Sequence, residues 1–347
     1  MRTKYIIFLL FPVFFILSSC TNQSKLTEDM FDFSTDIGAL PVTSTPKKQQ
    51  ELKTKEKNEE TDEKKSEQKE MPENAEINGD LKSASEKNSH NVIKRFNLGY
   101  LTFDVADFYA EIKPIEQTSE YTKYVSKFYS RSNGFIDYLF GWRSNTIAVT
   151  KAYKNKTIPQ SFRTKVLLKK KTREIAIDYD KNGKITFEQV TPPDNRAKRP
   201  AVEDSKKIGS LDPLSIVLEA HRMIKNGFVE NNFDSKGKYV FSLPLYDGRR
   251  RSDINFEVDK KKNNDGLIHL KITQKPLAGY TENEWREIRK GERSVDIYLN
   301  PTSYWPVQAE GKSALGSARA KFLHDCQTKF EECIKLSEKK SKESDRK

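Results

Sequence analysis

From residue 92 to residue 322 the chain keeps returning to an alternation of apolar and polar side chains. A period of two restricts such segments to strands with one wet and one dry face. Leu98 to Val105 alternates in this way, and Glu120 to Ser130 does so in part. Tyr121, Tyr124, Val125, Phe128 and Tyr129 supply the aromatic and β-branched content that strands favour. Further strands are predicted near Asn145–Tyr153, Phe162–Lys169, Arg173–Tyr179 and Lys184–Val190. A second series follows near Tyr239–Leu245, Asp253–Asp259, Leu267–Gln274, Ser294–Leu299, Trp305–Glu310 and Ser317–Phe322. Turn residues punctuate them. Asp180-Lys181-Asn182-Gly183 carries an Asn-Gly pair that accepts the positive φ of a tight hairpin, and Asp247-Gly248 and Asn300-Pro301 turn the chain again.

Two segments break the alternation. Gly134 to Trp142, with Phe135, Ile136, Leu139 and Phe140, is too densely apolar for a half-wet strand and reads as a short buried helix. The clearest helix opens at Asp212-Pro213, an N-cap acceptor followed by a residue suited to the first helical position. Leu214, Val217, Leu218, His221 and Ile224 then line one face, and Gly227 is a candidate C-cap. The fold class expected is α+β, a mostly antiparallel curved sheet wrapping one or two helices. No internal repeat is visible.

The N-terminal quarter has a different composition. Met1-Arg2-Thr3-Lys4 is a basic start, and Tyr5 to Leu17 is an apolar run of signal-peptide length, too short to span a bilayer comfortably. Leu17-Ser18-Ser19-Cys20 resembles the lipobox of bacterial lipoproteins. That resemblance implies a signal peptide over 1–19, cleavage before Cys20, and acylation of its thiol and new amine. Two or more acyl chains anchor a protein far more firmly than one. The address implied is the bacterial cell envelope, lipid-anchored and facing the periplasm. Thr21, where an Asp would favour retention at the inner membrane, favours the outer one. Residues 20–91 hold few aromatics after Phe33, with Pro46–Lys87 dominated by Lys, Glu, Asn, Ser and Gln, and offer too little apolar surface to offset chain entropy. They read as a disordered charged tether. About 70 residues of such chain have a root-mean-square span of roughly 45–50 Å. The folded domain is expected over 92–323 and a helical charged tail over 324–347.

Charged residues make up 32% of the chain and the net charge is +12, with basic runs at Lys169–Lys171, Arg249–Arg251 and Lys260–Lys262. An exported protein does not meet nucleic acid, so none is expected as a partner. Anionic head groups, glycopolymers or envelope proteins are the counterparts to weigh. The lysine runs fall where strands turn and read as solvated hairpin tips that blunt sheet edges. Arg249, Arg250 and Arg251 form a candidate basic docking patch through bidentate contacts, the alternative being pairing with acidic neighbours such as Asp253. Cys326 and Cys333 lie in Phe322–Cys333, which looks like an amphipathic helix. Seven residues of straight helix separate them by about 10 Å of rise, too far for a disulfide. Either the helix breaks and they pair, or they are buried thiols, or they pair with another chain.

Reactive chemistry is sparse. His90, His221, His269 and His324 show no metal-ligand spacing, and Ser215 lacks a nucleophile-elbow context. No Gly-rich phosphate loop occurs. Neither catalytic residues, nor a metal, nor a cofactor is expected.

Four landmarks occur in a particular order: Leu211-Asp212-Pro213-Leu214-Ser215, then Tyr246-Asp247-Gly248-Arg249-Arg250-Arg251, then Pro276-Leu277-Ala278-Gly279-Tyr280, then Tyr304-Trp305-Pro306-Val307 with Leu315-Gly316. Tyr179-Asp180 with Gly183, and Pro192-Pro193, precede them. In this the stretch from about Phe96 to Leu323 resembles the domain-of-unknown-function 3108 family of exported bacterial envelope proteins. The resemblance implies a half-barrel of antiparallel strands, like the carriers that handle lipoproteins. It implies no catalytic residue and no ligand. One function expected is binding of an amphipathic or lipid-like ligand in a cavity lined by Phe135, Phe140, Trp142, Leu214, Leu218 and Trp305. The alternative is a protein–protein docking module in envelope assembly with no such cavity.

Overall fold

In the computed structural model, which describes residues 92–335 apart from 101–102, 170, 263–265, 290–293, 314–315 and 327–328, the alternating segments become one 13-stranded antiparallel sheet. The signal segment, Cys20, the tether and residues 336–347 lie outside the described residues. The first seven strands are β1 (Val92–Tyr100), β2 (Phe103–Gln117), β3 (Tyr121–Ser132), β4 (Trp142–Tyr153), β5 (Thr157–Leu168), β6 (Lys171–Tyr179) and β7 (Ile185–Thr191). The remaining six are β8 (Lys238–Tyr246), β9 (Arg251–Lys262), β10 (Ile268–Ala278), β11 (Ser294–Leu299), β12 (Pro306–Ser313) and β13 (Gly316–Asp325). Helices are few and short: α1 (Gly134–Phe140), α2 (Asp204–Lys207), α3 (Ser215–Val229) and α4 (Glu282–Arg289).

Every strand pairs with its neighbour in sequence except at one place. β1 pairs with β13, joining the two ends of the domain through Phe96↔Phe322 and Leu98↔Ala320. The interruption falls between β7 and β8, which are consecutive in the chain yet form the two free edges of the sheet. A flat sheet with strands about 4.8 Å apart would hold those edges roughly 58 Å from each other. Instead the Tyr246 hydroxyl of β8 donates to Oε1 of Glu188 on β7 at 2.7 Å. The sheet therefore curls until its edges face one another without closing the ladder. The excursion that links them carries α2 and α3.

The curl follows from which residues point inward. Ile175, Ile177 and Tyr179 of β6, Phe162 and Val166 of β5, Phe128 of β3, Phe108 of β2, Leu98 of β1 and Ala318 and Ala320 of β13 pack in one cluster with Tyr246 and Val295. A second cluster joins Ile216, Ala220 and Ile224 of α3 to Phe241, Leu243, Ile254, Phe256, Val258, Leu270 and Ile272. Ser215 of α3 also reaches Thr150 of β4, Oγ to Oγ1 at 2.7 Å.

Several expectations need correction. The Leu98–Val105 segment is two strands, Tyr100 pairing with Phe103. β2 then runs to Gln117, which alternation missed because it is buried on both faces: Ala106 and Phe108 point inward, while Asp107, Tyr109 and Glu111 are covered outside. Trp142 begins β4 rather than ending α1, which stops at Gly141 with φ 51°. Helix α3 passes through Gly227. That residue is small because Tyr239 packs on it, a Cβ there falling 2.6 Å from the ring. The left-handed cap is Asn231 at φ 55°, with the Asn232 N–H donating to the Gly227 carbonyl at 2.9 Å. The helix expected over Phe322–Cys333 is instead β13 to Asp325 followed by a helical turn over 330–335.

Candidate functional site

Asp212 is fully buried and caps the helix it precedes. Its Oδ1 accepts the N–H of Leu214 and of Ser215, each at 2.9 Å, and its Oδ2 accepts the Ser215 hydroxyl at 2.5 Å. The Asp212 carbonyl takes the Ile216 N–H, so helical bonding starts at Pro213 as the residue types require. Burial pushes the Asp212 carboxyl up to about 6, partly opposed by those three donors. No substrate could reach it.

The other landmarks meet where the two sheet edges come together. Asp247 turns the chain from β8 to β9, its Oδ1 accepting the N–H of Arg249 at 2.8 Å and of Arg250 at 2.6 Å. Gly248 stands at φ 86° against Ile175 of the facing edge, where a side chain would collide. The guanidinium of Arg250 returns to Asp247 (Nη2–Oδ2 2.8 Å) and reaches Glu284 of α4 (3.5 Å). Arg249 forks onto Asp194, Nε–Oδ2 2.8 Å and Nη2–Oδ1 2.7 Å, while Arg173 of β6 meets the same Oδ1 at 2.7 Å. Arg199 completes the network by donating to Glu284 at 2.8 Å and to the carbonyl of Gly279 at 2.5 Å. Gly279, at φ 77°, leaves no room for a Cβ beside the Arg249 carbonyl. Tyr280 shares its hydroxyl with Ser252 and Gln274.

Burial alone would raise the acids of this network. Arg249 and Arg173 nevertheless hold Asp194 at about 2, and Arg250 and Arg199 hold Glu284 at about 2. Asp194 and Glu284 are therefore both ionised at any physiological pH. The network joins β6, the segment after β7, the β8–β9 turn and the start of α4. It is a clamp across the open side of the sheet, and it offers neither a nucleophile nor a base in reach of solvent.

With that geometry in place, residues 95–322 match the family described as "Protein of unknown function (DUF3108)". The chain belongs to the DUF3108 family. Among solved structures it is similar to a β-barrel-like protein of domain of unknown function DUF1849 from Brucella abortus. The two share 9% identity, the match covers 69% of this chain and 97% of that one, and the TM-score is 0.37. No curated protein matches.

The DUF3108 domain places the expected site residues as follows. Arg249, Arg250 and Arg251 are not a surface patch. Their side chains are 5%, 7% and 11% exposed, because each is taken by an internal carboxylate; Arg251 pairs with Asp253 at 2.8 Å. Leu214 and Trp142 belong to the first core cluster, where Trp142 meets Phe108 edge-on at 6.0 Å between centroids. Leu218 is buried on α3, and Trp305 stacks on His221 of the same helix at 4.3 Å. These residues therefore pack against neighbours of the same chain. Phe135 and Phe140 fall in α1, but their side chains lie outside the described residues. Cys326 and Cys333 are joined in a disulfide, Cα to Cα 6.1 Å, across the break before the final helical turn. The turn lays Phe330, Cys333 and Ile334 over Ile93, Tyr109 and Tyr129 on the outer side of the sheet.

Among the described residues an open polar depression of about 420 Å³ lies beside Phe233, Asp234, Lys236 and Lys260. Also among them, no group of His, Cys, Asp or Glu could hold a metal, and no helix is long and apolar enough to cross a membrane. Sequence reasoning missed Asp194, Arg173, Arg199 and Glu284. One had a usable signal: Thr281-Glu282-Asn283-Glu284 is a capping box, with Glu284 Oε2 accepting the Thr281 N–H at 2.7 Å.

Proposed function

We propose that this DUF3108 protein is an envelope lipoprotein, tethered through Cys20, that works as a protein–protein docking module of the cell envelope. The observation that carries the reading is the filled interior. If the curved sheet is a half-barrel about α3, the room an acyl chain would need is already occupied by Phe108, Phe128, Phe162 and partly buried Trp142, and by the apolar face of α3 on the other side. A docking role asks nothing of the interior beyond rigidity, which the clamp at Asp194, Asp247 and Glu284 supplies. The reading is of a binding protein rather than a catalyst, because the buried carboxylates Asp194, Asp212, Asp247 and Glu284 are engaged in capping and pairing. A disulfide between Cys326 and Cys333 agrees with an oxidising compartment outside the inner membrane.

Native mass spectrometry of the full chain, extracted from membranes in mild detergent, tests this. The expected result is the acylated mass alone or with a stoichiometric protein partner. Retention of a further, non-covalent lipid by the domain would replace docking with lipid carriage. The anchor is tested separately: Cys20→Ala should leave the membrane fraction after a high-salt wash, and retention through that wash would refute acylation at Cys20.

A further inference from the structure

A basic surface among the described residues lies at the opposite end of the sheet from the arginines. β3 and β4 are in register so that Lys123 stands directly across from Lys151, and Tyr121 across from Tyr153. All four point to the outer face, since Ser126 and Phe128 on β3 and Ala148 and Thr150 on β4 take the alternate, inward positions. Like charges directly opposite on neighbouring strands destabilise a sheet. Only part of that repulsion is relieved within the chain. Lys123 has Glu116 at 4.0 Å, while Lys151 lies over the ring of Tyr121 at 4.2 Å. Just beyond, the β4–β5 turn carries exposed Lys154 and Lys156, and exposed Ile115 lies two residues before the end of the neighbouring β2. Tyrosine pairs with lysines at their rims, next to an exposed apolar residue, suit the plane of lipid head groups. There the rings sit at the interface and the ammonium groups meet phosphate.

We propose that this face, built by Tyr121, Lys123, Lys151, Tyr153, Lys154 and Lys156, docks on an anionic lipid surface. Two facts favour a membrane as the occupant. The charge is complementary to phosphate head groups. The chain that precedes the domain also joins β1 at Val92, which pairs with Ile112 only a few residues before β2 ends at this same tip. A chain anchored at Cys20 thus enters the domain on the side that carries the patch. The docked orientation turns the clamp, the β8–β9 turn and α4 away from the bilayer. The inference rests on the envelope reading above, and it names which face of the domain meets the membrane.

The test uses the mature chain from residue 20 carrying Cys20→Ala, so that neither an acyl group nor the apolar leader contributes and failure of the anchor cannot mimic failure of the surface. Binding is measured by co-sedimentation with vesicles of phosphatidylcholine alone and of equimolar phosphatidylcholine and phosphatidylglycerol. Binding to the second only, weakening with added salt, is expected. Each lysine near such a surface changes affinity by about fivefold, so Lys151→Gln with Lys154→Gln should weaken binding about 25-fold. Lys198→Gln with Lys275→Gln, at the far end of the sheet, should leave it unchanged. Equal losses from both pairs, binding independent of phosphatidylglycerol, or displacement by polyglutamate that itself binds through Lys151 and Lys154 would each overturn the proposal. Thermal melts of all variants exclude unfolding as the cause.

Discussion

Replacing Asp212 by Asn removes a charge from the interior while keeping the cap. The Asn carbonyl oxygen can still accept the N–H groups of Leu214 and Ser215, both at 2.9 Å in the native protein, and its amide can donate to the Ser215 hydroxyl. The carboxyl titrates near 6 in the folded chain because burial outweighs its three hydrogen bonds, against an ordinary value of 3.8. A folded-state pKa above the unfolded one means that the native protein holds the extra proton between those values. Stability then falls as pH rises from about 4 to about 6, by roughly 3 kcal/mol in total. Asp194 and Glu284 behave oppositely. Their pKa values of about 2 lie below the unfolded ones, so the stability they contribute is present above about pH 4 to 5 and is lost as pH falls toward 2. The three groups together place the stability maximum between those windows, near pH 4 to 5. Urea denaturation of the full chain at unit pH steps from 4 to 8 reads this directly. The Asp212→Asn chain should lose the decline between pH 4 and 6 and exceed the native protein at pH 7 by about 2–3 kcal/mol, at unchanged m-value. A variant that is less stable at pH 7 and keeps the native slope would refute the argument. It would show that the helix N-terminus and the three donors, rather than burial, govern this carboxylate.

Arg249→Ala leaves Asp194 buried with part of its countercharge gone, and should cost about 3–5 kcal/mol by chemical denaturation; a loss below 1 kcal/mol would mean that the clamp is not a unit. Joint replacement of Cys326 and Cys333 by Ser opens a loop of sequence separation 7 and should cost about 2.5 kcal/mol, with faster hydrogen exchange at Tyr109 and Tyr129; unchanged exchange would show the turn held by Phe330 and Ile334 alone. Ser144 has a buried hydroxyl with no hydrogen-bond partner and faces Ser130 across the strand pair, so Ser144→Ala should be neutral or stabilise by about 1 kcal/mol in a thermal melt. A clear destabilisation there would reveal a bound water.

The clamp changes what the landmark residues mean. The Tyr246–Arg251 and Pro276–Tyr280 segments look, one at a time, like a basic loop and a glycine turn. Together they fasten the free side of a sheet whose edges otherwise expose backbone donors and acceptors. Their side chains serve the fold, which directs the search for function to the outer surface.

The sequence by itself determined the strands whose two faces differ. β6, β9 and β10 each bury alternate residues and were legible as alternation, as were the cap at Asp212 and the hairpin at Asn182-Gly183. β2 was not legible, because a strand covered on both sides loses the pattern. Nor were α4, whose cap was present but whose apolar stripe is thin, and the last turn, where the chain breaks after Asp325 so that two cysteines can meet. Tertiary structure alone decided the rest. Burial of Arg249 and Arg250 depends on Asp194 and Glu284 arriving from two other segments, and the curl of the sheet decides whether they arrive. The opposition of Lys123 and Lys151 depends on strand register, which a one-residue slip would undo. Local chemistry is written along the chain. Whether a charge ends up paired inside or standing on the outer face depends on which distant residue stands opposite.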